Sequence, residues 1–382
     1  MGNEKSGNTN PRTLALVIEV SGCACTCSHC GAQGHPYPAM PLKDIERVLK
    51  AAGRFCKAEG IVFDRDFSGA YHEILTHPDA LKVMQLFNEY NPAHIRTFEP
   101  FTTPGPLLAL RPDWEEILKG AKELGTEVMW FALHGIGEVH DRLVKQKDAF
   151  AKLVIAIGRA KSVGLYCGGN VFFSTENLHQ IPQILEFCRS KFTAPVSYEV
   201  ATYVPTPRLR AYEKYRPTLA QLAPYAERIE EAATWKRMWV DLEKCSEASY
   251  VRQALNPEQA EKVEWTLNNP NRISLVCRNN LDLHTGVASE GAYGPCHGNL
   301  GSGNMQETFR KAARLGPVPL EQLYFPGEQL PPVSELAAKW GDPQGQKIYR
   351  HPVAMFLRWL DVALATPAWC GRVALIQVSN PL

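Results

Sequence analysis

The strongest constraint on the fold of this chain is a repeated alternation. Apolar, β-branched runs occur at Leu14–Val20, Gly60–Phe63, His94–Phe98, Glu127–Leu133, Leu165–Phe173 and Val196–Tyr203. Helical patterns fill the gaps at Leu42–Lys57, Pro78–Glu89, Trp114–Leu124, Ala149–Val163 and Ile181–Lys191, with turn residues at the joins. Strands separated by helices run parallel, because parallel neighbours need a crossover. An open sheet and a partial barrel both satisfy the pattern. Either one puts the ligand site at the C-terminal ends of the strands.

That placement bears on the stretch SGCACTCSHC, residues 21–30, which directly follows the first expected strand. Cys23, Cys27 and Cys30 are spaced C-x3-C-x2-C. Three thiolates on one tight loop can hold three irons of a cubane cluster and leave the fourth iron without a protein ligand. An open metal position is what catalysis needs. Cys25 is the extra cysteine and is expected to point away. Zinc is the rival, with Cys27 and Cys30 as a knuckle completed by Cys23, Cys25, His29 or His35. No second C-x2-C pair exists downstream to support it.

The other cysteines are spread widely. Eleven in 382 residues, an odd number in a chain with no apolar segment resembling a signal peptide, argue against a disulfide framework. Cys56, Cys167 and Cys188 sit in apolar helix or strand patterns and read as buried thiols. Lys plus Arg (41) nearly balance Asp plus Glu (40). That balance gives no general field for nucleic acid or an acidic membrane. No run approaches the roughly 20 apolar residues of a spanning helix. A protein of the reducing cytoplasm is expected. Gly2 and Ser6 fit a short N-acylation pattern, for which a frayed tail is the plain alternative.

The cysteine loop, VIEVSGCACTCSHCG, resembles that of the radical S-adenosylmethionine (SAM) enzymes, with His29 in a place that is often aromatic in the family. The later motifs resemble the family's in the same order. FSGAYHEILTHPD is similar to the segment commonly reading Gly-Gly-Glu-Pro and then Leu-Leu-His-Pro-Asp. Glu73 matches the glutamate, while Tyr71 and His72 replace the glycines. Apart from any resemblance, His77-Pro78-Asp79 reads as a helix start. WFALHGIGEVHD resembles the fourth strand, placing Ala132 and His134 toward cofactor or substrate. His140-Asp141 also reads as a helix-capping pair. GGNVFFSTEN resembles the fifth strand, where Asn170 and Ser174 would hold the SAM carboxylate and ribose. YVPTPRLR resembles the sixth, with Pro207 in place of a glycine. There Arg208 would face an anionic group, or is a surface charge.

The resemblance covers roughly residues 13–210 and implies a partial (β/α)6 TIM-like barrel with a smaller C-terminal α+β extension. The expected organisation is a disordered tail over 1–12, the barrel over 13–215, a helical linker over 216–265 and the C-terminal domain over 266–382. Cys277 and Cys296 flank a stretch that looks like the hairpin of Twitch or SPASM extensions. A second iron-sulfur cluster there would use Cys277 and Cys296, with Cys245, Cys370 or His297 as partners. SPASM modules need more cysteines downstream than the single Cys370. A degenerate module without a cluster, and ordinary buried thiols, therefore stay open.

The resemblance further implies a 4Fe-4S cluster on Cys23, Cys27 and Cys30, SAM bound at its open iron, reductive cleavage of SAM and abstraction of a substrate hydrogen. The partners implied are SAM, a small-molecule or peptide substrate and an external flavodoxin- or ferredoxin-like electron donor. The outcome would be dehydrogenation, crosslinking or epimerisation of a natural-product intermediate or ribosomal peptide. The competing reading is a non-catalytic zinc- or iron-sulfur-binding protein on a degenerate barrel. It is favoured by the altered Gly-Gly.

Overall fold

The fold was read from a computed structural model of the chain. It describes residues 12–30, 34–64, 69–71, 73–90, 105–233, 239–260, 272–287, 292–316, 318, 320–325 and 330–365. The expected tail over 1–12 lies almost wholly outside these residues. So do the strand expected at 94–98, His72 and Cys370.

The described β-branched runs form strands β1 (Thr13–Glu19), β2 (Val62–Phe63), β4 (Val128–Leu133), β5 (Tyr166–Phe173) and β6 (Val196–Val200), and a further short strand that was not expected, β3 (Gly69–Tyr71), follows β2. Helices Leu42–Glu59, Ala80–Tyr90, Trp114–Glu123, Ala149–Ser162 and Ile181–Lys191 lie between them. The fold is mixed α/β with parallel sheets. β1 pairs in parallel with both β2 and β3, and β4, β5 and β6 form a second parallel sheet. Among the described residues the strands fall in two sheets and no closed barrel is formed.

The C-terminal third contributes β7 (Arg272–Cys277), β8 (Asp282–Val287) and β9 (Ala292–Asn299). β7 runs parallel to β1 from Thr13↔Arg272 to Ile18↔Cys277, and β8 and β9 follow antiparallel. The first sheet therefore continues across the boundary expected between barrel and extension. The ends of β1 and β7 also lie at the same edge.

Alternation explains which side is core. Leu14, Leu16 and Ile18 of β1 are buried against the Leu42–Glu59 helix layer. That helix repeats its apolar residues at Ile45, Val48, Leu49, Ala52, Phe55 and Cys56, the spacing of one helical face. It ends at Gly60, whose φ of 64° is the left-handed cap that glycine adopts freely. Phe55 stacks on Phe309 of the Met305–Arg314 helix, ring centroids 5.5 Å apart, so the C-terminal hairpin shares the core. Cys56, Cys167 and Cys188 are buried in it as expected. A second cluster joins Tyr203, Leu209 and Tyr212 to helices Glu247–Leu255, Val333–Trp340 and Pro352–Leu364.

Candidate functional site

The cysteine loop leaves β1 at Glu19 and is closed by its return arm. Cys23 N–H donates to the His35 carbonyl at 3.0 Å, and Met40 N–H to Val20 at 2.9 Å. Gly22 makes this closure feasible. A Cβ there would lie 2.4 Å from the Tyr37 nitrogen, closer than any side chain tolerates. Ser28 N–H donates to the Leu143 carbonyl at 2.9 Å, tying the loop to the Glu138–Val144 helix.

Cys23, Cys27 and Cys30 are half-buried. Gly34 N–H points at the Cys30 sulfur at 3.4 Å. A hydrogen bond shared with Cys25, then burial and the Glu73 carboxylate, hold the Cys23 thiol above its ordinary range. Cys25 is buried against Val144 and Ala149. Its thiol still shares hydrogen bonds with Cys23 and Cys27, so it turns into the core without leaving its neighbours.

Glu73 is buried two residues past the end of β3. Its carbonyl accepts from the Ser21 hydroxyl at 2.9 Å. Thr76 hydroxyl bonds to the carbonyls of Gly22 and Glu73. The Glu73 segment and the cysteine loop are thus one hydrogen-bonded unit. Tyr71 pairs with Glu19 through the backbone. His77 has a structural place: Nε2 meets the Met40 carbonyl at 2.9 Å, and Nδ1 accepts from Asp79 N–H at the start of the following helix.

The second sheet supplies the facing wall. Ala132, Asn170 and Ser197 are cross-strand partners and share one face. The Ser197 hydroxyl donates to Asn170 Oδ1 at 2.7 Å. Beyond them His29, His134 and Phe172 form a ring shelf: His29 lies 4.1 Å from His134 and 5.0 Å from Phe172. Burial, then Arg208 and His140, lower the His29 imidazole to about 3. Burial lowers His140 to about 4 and His134 well below its usual value. All three rings are neutral near pH 7. Ser174 is buried after β5, facing Tyr212. Arg208 donates to the Gly34 carbonyl at 3.2 Å, which puts it beside the return arm of the cysteine loop.

His140 and Asp141 are not a helix-capping pair: both lie inside the Glu138–Val144 helix, whose N-cap is Gly137. Asp141 Oδ1 accepts from Phe150 N–H at 2.8 Å, in the first turn of the Ala149–Ser162 helix, whose N-cap is Asp148. His140 Nδ1 instead accepts from His134 N–H at 3.2 Å. Asn177 was not among the expected site residues. It is fully buried, donates to the His134 and Phe172 carbonyls at 2.9 and 2.8 Å, and accepts from Ser174 N–H. The Asn following Ser174-Thr175-Glu176 is an ordinary turn signal, so nothing in the sequence marked it.

Among the described residues, Cys277, Cys296 and Cys245 are not brought together. Cys277 pairs with Leu283 and is buried in the core, whereas Cys296 pairs with His284 and is exposed. Cross-strand partners point to one face and successive residues to opposite faces, so the two thiols lie on opposite sides of the sheet. Cys245 lies apart, next to Tyr250 of the helical cluster.

The donor set fits an iron-sulfur cluster. Three half-buried thiols stand on a braced loop, and each can serve a different iron. A mononuclear alternative also exists, because Cys27, His29 and His134 offer ligand atoms within 4.8 Å of one another.

No protein-family model matches the sequence, and no curated protein matches it significantly. Solved structures do. SuiB of Streptococcus suis, bound to precursor peptide SuiA, aligns over 78% of this chain at 16% identity with a TM-score of 0.50. This chain spans 64% of the SuiB chain. Native anSMEcpe, with bound AdoMet and Cp18Cys peptide, aligns over 93% of this chain and 98% of its own, at 14% identity and a TM-score of 0.47. The radical SAM enzyme coproporphyrinogen III oxidase (HemN) of Escherichia coli aligns over 93% and 91%, at 11% identity and 0.41. The likeness to SuiB is one of fold.

Proposed function

We propose that the chain is a radical SAM enzyme of the reducing cytoplasm, the parallel strands of its two sheets being arcs of a partial barrel. The observation that carries this is one hydrogen-bonded unit holding three half-buried cysteines and a buried glutamate at the end of β1. Cys23, Cys27 and Cys30 would hold a 4Fe-4S cluster. When bound, the cluster supplies the electron for reductive cleavage of SAM and so for hydrogen abstraction from the substrate.

The chain's own residues do the rest. Glu73 and the backbone of Tyr71 and His72 would take the SAM amino group. Asn170, held by Ser197, and Ser174 would take carboxylate and ribose. Ala132 keeps its side of the wall low, and the neutral shelf of His29, His134 and Phe172 offers an apolar surface to a planar ring. Arg208 faces the anionic end of SAM or substrate. The shelf and the half-buried loop limit access of water, and keeping reactive groups close to one hydrogen confines the chemistry. SuiB was crystallised with a precursor peptide, which favours a peptide substrate here, with dehydrogenation, crosslinking or epimerisation as the outcome. A small natural-product substrate is the alternative. The electron would come from a flavodoxin- or ferredoxin-like donor.

The test is anaerobic reconstitution with iron and sulfide, reduction, and measurement of methionine and 5′-deoxyadenosine from SAM. Cleavage by wild type and its loss in Glu73→Gln support the reading. Intact SAM in wild type refutes it. The Cys27, His29 and His134 group favours a second reading, a non-catalytic zinc-binding protein. On that reading one zinc binds in place of iron.

A further inference from the structure

A second donor group lies on the β8–β9 hairpin, separate from the cysteine loop. Asp282, His284 and Cys296 place a carboxylate oxygen, an imidazole nitrogen and a thiol within 4.8 Å of one another. Asp282 and His284 are alternate residues of β8 and share a face. Cys296 is the β9 partner of His284.

That pairing depends on a bulge. The register runs Leu283↔Gly298 and then His284↔Cys296, so His297 is the extra residue. Without the bulge His297 would stand opposite His284 and the thiol would turn to the other face. Gly298 has a φ of 136°, a conformation strained for any residue with a side chain. His297 bonds instead to Thr285, Nε2 to Oγ1 at 2.7 Å.

The neighbouring groups hold the donors in place. His284 Nδ1 lies 3.0 Å from the Gly294 carbonyl oxygen. A carbonyl only accepts, so Nδ1 carries the proton and Nε2 keeps the lone pair. This is how metal-binding histidines are oriented. The Asp282 oxygens accept amide hydrogens from Asn280 at 2.7 Å and Asn299 at 2.9 Å, which fixes the carboxylate yet leaves lone pairs on both.

We propose that Asp282, His284 and Cys296 form a mononuclear zinc site. Sulfur, imidazole and carboxylate together suit zinc rather than the oxygen-seeking magnesium or calcium. Three protein ligands leave one tetrahedral position open for water or a donor from the substrate. His284 pairs with Val276, which pairs with Val17. The ligands therefore lie on the face that carries Val17, Glu19 and Arg278, at the same edge of the sheet as the cysteine loop. Glu19 is bonded there to Arg278 and Tyr293 at 2.9 and 2.7 Å. Cys277, on the opposite face, takes no part.

The proposal does not rest on SAM chemistry, and its test removes that chemistry. A chain with Cys23→Ala, Cys27→Ala and Cys30→Ala, chelator-stripped and reduced, is titrated with Co2+ and then Zn2+. One equivalent of cobalt should bind, with thiolate charge-transfer absorption and tetrahedral visible bands that zinc abolishes. Adding His284→Ala or Cys296→Ser should remove both, with the circular dichroism unchanged. Absence of the bands, or bands that survive both substitutions, overturns the site. Should the triple variant not fold, wild type and Cys296→Ser are compared for bound zinc by metal analysis. A difference of one equivalent supports the site and equal content refutes it.

Discussion

At the scale of single residues, the cysteine loop separates four chemically identical side chains by where they point. Cys23, Cys27 and Cys30 are half-buried while Cys25 packs against Val144 and Ala149. Serine at Cys23, Cys27 or Cys30 should each abolish iron retention after reconstitution, and Cys25→Ala should retain iron at a stability cost of about 1 kcal/mol. Iron analysis beside urea denaturation checks both. Gly22→Ala should also lose iron, because its Cβ would meet the Tyr37 backbone at 2.4 Å and the loop cannot close. A different residue pair governs acid stability. Arg216 lies 2.8 Å from Glu213 and donates to the carbonyls of Ala201 and Ile348. Burial pushes the Glu213 carboxyl up, but Arg216 and the Tyr349 hydroxyl outweigh it and hold it below the ordinary range. A depressed carboxyl stabilises the fold above the ordinary glutamate value of about 4.3. That contribution is lost as pH falls through the folded value. Arg216→Ala should cost about 3 kcal/mol at pH 7, since it removes the buried partner of Glu213 and leaves the carboxylate to Lys347 and Arg358 at 3.5 and 3.9 Å. Its deficit should shrink on acidification, when Glu213 protonates. Thermal melts between pH 3 and 7 measure this.

At the scale of elements, much was legible because the strands are nearly continuous apolar runs and the helices carry strong one-sided patterns. The cysteine loop was legible because it follows β1 directly. What sequence could not give was register. Cys277 and Cys296 read as a flanking pair, yet the side a strand residue faces depends on pairing and on one bulge at His297. The same limit hid Asn177, whose role comes from carbonyls at His134 and Phe172. Asn177→Ala should leave those groups unpaired, cost about 1–3 kcal/mol and weaken SAM binding through the displaced shelf. Equilibrium dialysis with SAM, compared with Asn170→Ala, would show it. The join between β1 and β7, which crosses the expected domain boundary, was equally silent, since no local pattern names a strand's neighbour.

At the scale of the whole molecule, the shared sheet and the Phe55–Phe309 stack make the hairpin part of the sheet that carries the cysteine loop. Phe309→Ala should therefore cost about 3–5 kcal/mol and lower a single unfolding transition; two separated transitions would show independent units. No helix of the described residues is long and apolar enough to cross a membrane. The central claim is that the cysteine loop holds a cluster with an iron left open for SAM. Electron paramagnetic resonance of the reconstituted, reduced protein, with and without SAM, tests it most directly. The account predicts a 4Fe-4S signal that shifts when SAM is added and is missing from the Cys23/Cys27/Cys30 triple alanine variant. A signal indifferent to SAM, or a protein that takes up zinc and no iron, would contradict it.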